Sequence, residues 1–472
     1  MNCCRQGLWY QAGLLILLHL GLLLAYPGGA YGKVATWVPT AVIVGLLMLS
    51  GLVYLFAVRS CMRIDSTRST LLWIVTVGIA LRIITSAAPP AHEDDFYRYL
   101  WDGGLTAHGI NPYAVAPDDV SRSADEDSQL NTMRLEAGTV FERINHPHLK
   151  TVYPPMAQVG FAVAHWIKPW NLNAWRCVLA VADIAVFVLL CVLLQRLALP
   201  LALILIYWWN PVLIKETYNT CHMDILMLPF LVGIVLLYHY RRYVWASLLV
   251  AVAAGTKLWP IVLLPLVLRP LLKSPRKLVL PAILCGVILS VMAIPVYLGG
   301  LGSNSGFVRY MATWEMNDGL YMLLRWIADR IPINLESHTL ARIFAGVLLG
   351  SVILFLVRHP ADSAEAFCDR ALTILVILFL LSPTQFPWYS LWFLPLLVVI
   401  PRTSALLLSA LLPLYYLRFA FSEADKVSYF DYGVVWIQFV PVYFLMLREF
   451  VVGGGLKGRN MKAQGNTLGT VR

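Results

Sequence analysis

Apolar runs about as long as a bilayer core is thick recur along almost the whole chain, and they constrain it more than any other feature. They fall at 8–26, 36–58, 70–87, 173–194, 198–214, 222–240, 278–298, 340–357, 371–382, 387–400, 403–420 and 433–450, with a shorter one at 155–168. A segment in hydrocarbon must satisfy its own backbone N–H and C=O groups, so runs of this length are expected as helices. An all-α, polytopic integral membrane protein of eleven to thirteen membrane segments is therefore expected, with 155–168 as a half-span or interfacial helix. Composition agrees, since 13% of residues are charged against about 25% in soluble proteins. A soluble enzyme, a disordered chain and a secreted disulfide scaffold are excluded. The first run follows Arg5 and precedes a second span, which reads as an uncleaved anchor rather than a signal peptide.

The formal charge of +10 is unevenly spread. Residues 88–155 hold 11 of the 26 acids and five bases, a net of −6, while the remainder nets +16. The basic excess sits in short clusters between spans: Arg59/Arg63/Arg68, Arg241/Arg242, Arg269/Lys273/Arg276/Lys277 and Lys457/Arg459/Lys462. That is the positive-inside pattern and not a nucleic-acid face. It puts both termini in the cytoplasm and the loops 88–155 and 299–340 outside. Residues 1–452 are expected as one membrane domain, followed by a disordered basic tail at 453–472. None of the eight cysteines lies in either outer loop, and no CxxC occurs, so neither a disulfide framework nor a zinc site is indicated.

Residues 243–269 carry basic clusters at both ends, so a single crossing would leave one cluster outside. A re-entrant pair of half-helices, broken at Gly255-Thr256-Lys257-Leu258-Trp259-Pro260, satisfies both ends. Lys257 would then lie within the protein, near mid-membrane or toward the outer side.

The cytoplasmic segments are too short for a nucleotide-binding domain, and GxxxxGK[ST] is absent. ATP-driven transport in cis and a cytoplasmic nucleotide-sugar site are excluded, which directs attention to the outer face. From Pro89 the chain reads PPAHEDDFYRYLWDGG. Pro89 and Pro90 can open a helix, Glu93, Asp94 and Asp95 occupy its first turns, and Gly103-Gly104 is expected to close it. Helical spacing places Asp95, Tyr99 and Asp102 on one side and Asp94 with Arg98 on the next. Two readings stand. The acids complement the helix dipole, or they take a proton from a sugar hydroxyl and bind the sugar beside clustered Tyr and Trp.

Those residues carry a resemblance. HEDDFYRYLWDG, then GINPY, RINHPHLKTVYPPMAQ, WNPVLIKETYNTCHMD, AGTKLWP, WEMNDGLY and SPTQFPWY, spread in order over 85–395, resembles bacterial polytopic, mannosyltransferase-like members of the GT-C glycosyltransferase superfamily. The resemblance implies a helical fold in the bacterial inner membrane, a catalytic acid in the first outer loop, a polyprenyl-phosphate sugar donor and inversion at the anomeric carbon. The Asp-Asp ahead of Tyr-Arg-Tyr falls on Asp94 and Asp95, with Asp95 expected as the base. Gly104 stands where the family motif often has Arg.

A lipid-linked donor also follows from position, because nucleotide sugars are cytoplasmic. Polyprenyl phosphate leaves as a stable anion, so the enzyme needs a base and cations more than a strong acid. Arg98, Lys215, Lys257 and Arg309 are the candidate phosphate cations. Alternatively Lys215 pairs with Glu216 and Lys257 satisfies backbone at the break. His222 and Asp224 face a span end and suit sugar binding, a second base or structural hydrogen bonding; they lack nearby partners for a metal site. Mid-span Asp183 has a functional and a structural reading. Trp314, Asn317 and Asp318 are placed to close over a glycan or lipid acceptor, whereas Trp388 and Tyr389 suit an interfacial belt. The residues assign no certain cofactor, and metal dependence is open, because two acids at a water-filled mouth could hold one divalent cation. The competing classes are a flippase or transporter, with paired broken helices in two halves, a lipid-sugar polymerase or ligase, and a structural membrane protein.

Overall fold

The computed structural model describes residues 2–25, 37–122 and 128–452, which leaves the tail expected to be disordered outside the described residues. Every regular element within them is helical, and the one β-type pairing is an isolated bridge between Met316 and Thr384. Trp37–Cys61 and Leu172–Arg196, at 25 residues each, are about 37 Å long at 1.5 Å per residue, enough to cross a core of about 30 Å. Eight helices among the described residues pass as spans by length and composition, or up to nine if a bent pair counts as one. The chain is a multi-pass membrane protein.

That number is below the eleven to thirteen segments expected, and the shortfall has a physical cause. The run at 198–214 is not one helix but the short pieces Leu201–Ile204, Leu205–Trp208 and Pro211–Tyr218. The run at 387–400 is likewise Pro387–Trp392 and Leu394–Leu397. Pro200, Pro211, Pro387 and Pro395 remove backbone donors and interrupt both runs. Nearly every residue in these pieces is buried, so broken backbone at this depth is enclosed by protein. Long helices surround this hub. Arg276–Gly299 buries 11% of its apolar stretch and Ser337–Leu356 17%, against 61% for Thr403–Glu423, which marks the first two as peripheral.

The chain breaks at two consecutive places beside the hub. Pro211–Tyr218 meets Met223–His239 at 105°, with Asn219, Thr220 and His222 buried at the bend. Tyr243–Ala254 then stops, and Trp259–Leu263 begins a 3₁₀ turn, which is the break expected at 255–260. These two breaks follow one another in the chain and come in addition to the interrupted runs of the hub.

Asp183 finds its partner in Arg82 of the helix Arg68–Ala87, at 2.6 Å. The Tyr207 and Tyr218 hydroxyls each donate to the same carboxylate at 2.7 Å. Arg82 also donates to the Trp208 carbonyl at 2.7 Å and lies 3.4 Å from the centre of the Trp208 ring. A buried charge pair survives only when its remaining bonding capacity is met, and this pair joins two spans to the hub.

Candidate active site

Pro89 and Pro90 end the third span, and Asn219 fastens the chain that follows. Its Oδ1 accepts from the Ala91 N–H at 3.2 Å, and its Nδ2 donates to the Pro89 carbonyl at 2.9 Å. The acidic segment is thereby pinned to the 219–222 bend. Asp95 occupies the N-cap of the helix Phe96–Ala107, yet its side chain makes no capping hydrogen bond. Its carboxylate instead accepts from the Tyr153 hydroxyl at 3.2 Å. Asp94 accepts from Asn145 Nδ2 at 2.5 Å, and Glu93 from the Tyr415 hydroxyl at 3.0 Å. The three acids thus engage two separate segments, the stretch 143–154 and the one that carries Tyr415. Burial, reinforced by the Asp95 charge, raises the Glu93 carboxyl well above the usual range, and burial also raises Asp94 against the opposing Asn145 bond.

The helix behind them continues to Ala107, so Gly103-Gly104 does not close it as expected. A Cβ at Gly103 would lie 2.4 Å from the Phe161 carbonyl oxygen, and one at Gly104 would lie 2.2 Å from the Trp170 ring. The glycines admit close packing, in particular by the helix Pro155–Ile167, which is the element expected at 155–168. Arg98 and Asp102 form a buried pair at 2.8 Å on this helix. Arg98 Nη1 donates to the Leu149 carbonyl at 2.9 Å, and Gln158 bonds Thr151 at 3.0 Å and the Tyr153 carbonyl at 3.3 Å. The pair therefore holds the segment that presents Tyr153. Arg98 Nη2 stays buried without a hydrogen-bond partner among the described residues. Tyr99 packs between Tyr153 and Phe161.

Facing the acids is a second cluster built on the two breaks. Lys257 donates to Asp224 Oδ1 at 2.6 Å, and Trp392 Nε1 donates to the same oxygen at 2.7 Å. Lys257 Nζ sits 4.1 Å from the Tyr389 ring centre. The Tyr389 and Tyr310 hydroxyls are 2.5 Å apart, and Tyr310 also bonds Thr384 at 2.8 Å. Asp95 is close enough to Lys257, Tyr310 and Tyr415 for its charge to act on each, so the clusters form one site.

The remaining candidates divide. Lys215 is ion-paired with Glu216 at 3.3 Å and lies 3.8 Å from the Tyr416 ring centre, the structural alternative stated for it. His222 Nδ1 bonds Glu216 at 2.9 Å, and the imidazole stacks on Trp388 at 3.8 Å. Asn317 donates to the Gln385 carbonyl at 2.8 Å. Asp318, half-buried beside it, has its carboxyl pushed up to about 7 by burial. Arg309 is exposed and has no ion-pair partner among the described residues. No group of three or more His, Cys, Asp or Glu side chains among the described residues is arranged to hold a metal ion.

Sequence reasoning did not assign Tyr153, Tyr310, Trp392 or Tyr415, and read Trp388 and Tyr389 as a belt. Tyr153 and Tyr389 do lie in the motifs TVYPP and SPTQFPWY, which was the available signal. Residues 151–383 match glycosyltransferase family 87. The matched stretch contains both breaks, Tyr153, Asp224, Lys257 and Tyr310, while the acids at 93–95 precede it and Thr384, Tyr389 and Trp392 follow it. No curated protein and no solved structure matches the chain.

Proposed function

We propose that this polytopic glycosyltransferase, consistent with the GT-C resemblance and needing a sugar donor and an acceptor, transfers a hexose from a polyprenyl phosphate to an acceptor hydroxyl with inversion. Mannose is the hexose that the resemblance favours. The transfer takes place at the extracytoplasmic face of the bacterial inner membrane, with both termini in the cytoplasm. The observation that carries the reading is the state of Asp95. Its carboxylate stands at a helix start without capping it and faces a lysine–aromatic cluster.

In this mechanism the acceptor hydroxyl gives its proton to Asp95, with Tyr153 orienting the carboxylate. The acceptor oxygen bonds to the anomeric carbon as the carbon–oxygen bond to phosphate breaks, and the electron pair leaves on polyprenyl phosphate. An ammonium has three donors. Lys257 uses one on Asp224, leaving two for the developing phosphate charge. Arg98 Nη2 is a second donor for that phosphate. Asp94, bonded to Asn145, positions the acceptor hydroxyl.

The test is reconstitution with a polyprenyl-phosphate hexose and measurement of released polyprenyl phosphate. Asp95→Asn is expected to lower turnover by about 10²–10⁴-fold, the usual contribution of a general base. Unimpaired turnover in a variant lacking both Asp94 and Asp95 would refute the assignment.

A further inference from the structure

Two long loops, 88–155 and 299–340, meet beside the acids. The Lys150 N–H donates to the Asn304 carbonyl at 2.9 Å, and Lys150 Nζ donates to the Gly299 carbonyl at 2.9 Å. Gly306 packs so closely that a Cβ there would lie 2.2 Å from the Lys150 carbonyl oxygen. The relative position of the loops is thus set by backbone contacts away from the acids. Nearer the acids a different contact spans the seam. The His146 ring stands 5.0 Å from Trp314, at 76° to it.

We propose that Trp314, His146 and Asn145 form a subsite for one pyranose ring of the acceptor, at the seam of the two loops. The inference rests on the glycosyltransferase reading and names the side chains that would hold the acceptor. Three observations carry it. Asn145 already donates to Asp94, the neighbour of the base, so a ring held here brings its hydroxyl to the acids. His146 is exposed and has a φ of +51°, a left-handed backbone state that histidine adopts more readily than most side chains and that turns the chain at this point. Trp314 is partly exposed, and its peptide is held by Arg342 Nη2 at 3.4 Å and by the Tyr310 carbonyl at 3.3 Å. A fixed indole beside an imidazole and an amide joins a flat apolar face to polar donors and acceptors, which suits a pyranose with its apolar C–H face and equatorial hydroxyls.

A simple loop-packing contact would have no preference for a sugar ring, and the experiment uses that difference. Reconstituted protein is given a polyprenyl-phosphate hexose with octyl α-mannopyranoside or with n-octanol, which has the same chain and a hydroxyl but no ring. The glycoside is expected to be the acceptor. Trp314→Ala and His146→Ala are each expected to raise its KM about tenfold, with the donor KM shifted less than twofold and with partial recovery in Trp314→Phe. His146 is exposed, so its variant remains informative if the tryptophan variant folds poorly. A glycoside KM within twofold of wild type in His146→Ala or in a folded Trp314 variant overturns the subsite. So does octanol serving as well as the glycoside, or donor hydrolysis without transfer to either. If wild-type protein consumes no donor under any condition, the glycosyltransferase reading itself has failed.

Discussion

Two buried acid–cation pairs share the same chemistry and differ in what surrounds them. Arg82–Asp183 has side chains 6% and 0% exposed, and hydroxyls, a carbonyl and an indole face take up its remaining capacity. Lys257–Asp224 leaves the lysine 22% exposed, with aromatic faces alongside and two donors unspent. The first pair is closed and joins spans to the hub. The second keeps its lysine partly exposed and within reach of the Asp95 charge. Charge inside a membrane is therefore not a sufficient sign of catalysis; an unspent bonding capacity on a partly exposed group is a better one.

The largest effect is expected at the closed pair. Asp183→Asn keeps one of the two acceptor oxygens that the tyrosines use and leaves Arg82 an uncompensated buried charge, which costs about 3–5 kcal/mol. Unfolding followed in mild detergent measures this, and a loss below about 1 kcal/mol would mean that the pair is not the clamp described. Lys257→Gln separates fold from function at the open pair. The amide still donates to Asp224 and the site is partly exposed, so a smaller loss of stability than at Asp183 is expected, with turnover reduced about 10²–10³-fold, as for loss of one transition-state donor. Equal losses of stability at the two pairs would erase the distinction.

The smallest effect belongs to Asp318, a half-buried acid near Glu315 and Asp431 that neither pair neutralises. Its folded-state carboxyl titrates near 7 against an ordinary 3.8, so the folded protein holds the extra proton between those values. The stability this provides is complete below about pH 4 and is lost as pH rises through about 7. Thermal midpoints at pH 5 and pH 8 should differ by a few degrees more in wild type than in Asp318→Asn. Identical differences would show that Asp318 does not contribute.

Legibility in the sequence followed the same division. Peripheral helices such as Arg276–Gly299, expected at 278–298, read directly from length and apolarity because one face meets lipid along the whole span. The runs at 198–214 and 387–400 have the same apolarity but lie inside the protein, and hydropathy cannot tell a lipid neighbour from a leucine neighbour. Their prolines were the warning. The acidic triplet was visible as a motif, and so was the break at Lys257. Arg82 and Asp183 were a lone base and a lone acid within spans, a pairing that charge neutrality could have suggested across 101 residues. The Trp388-Tyr389 dipeptide has the composition of an interfacial belt, and only its stacking on His222 and its place beside Lys257 reveal otherwise.

The sequence by itself determined that the chain is a helical membrane protein with an acid-rich loop beside a span end, since backbone satisfaction in hydrocarbon permits little else. The tertiary structure decided which charges are spent and which are open. That property depends on what the folded chain brings within hydrogen-bonding distance, as when Tyr153 reaches Asp95 across 58 residues and Trp392 reaches Asp224 across 168.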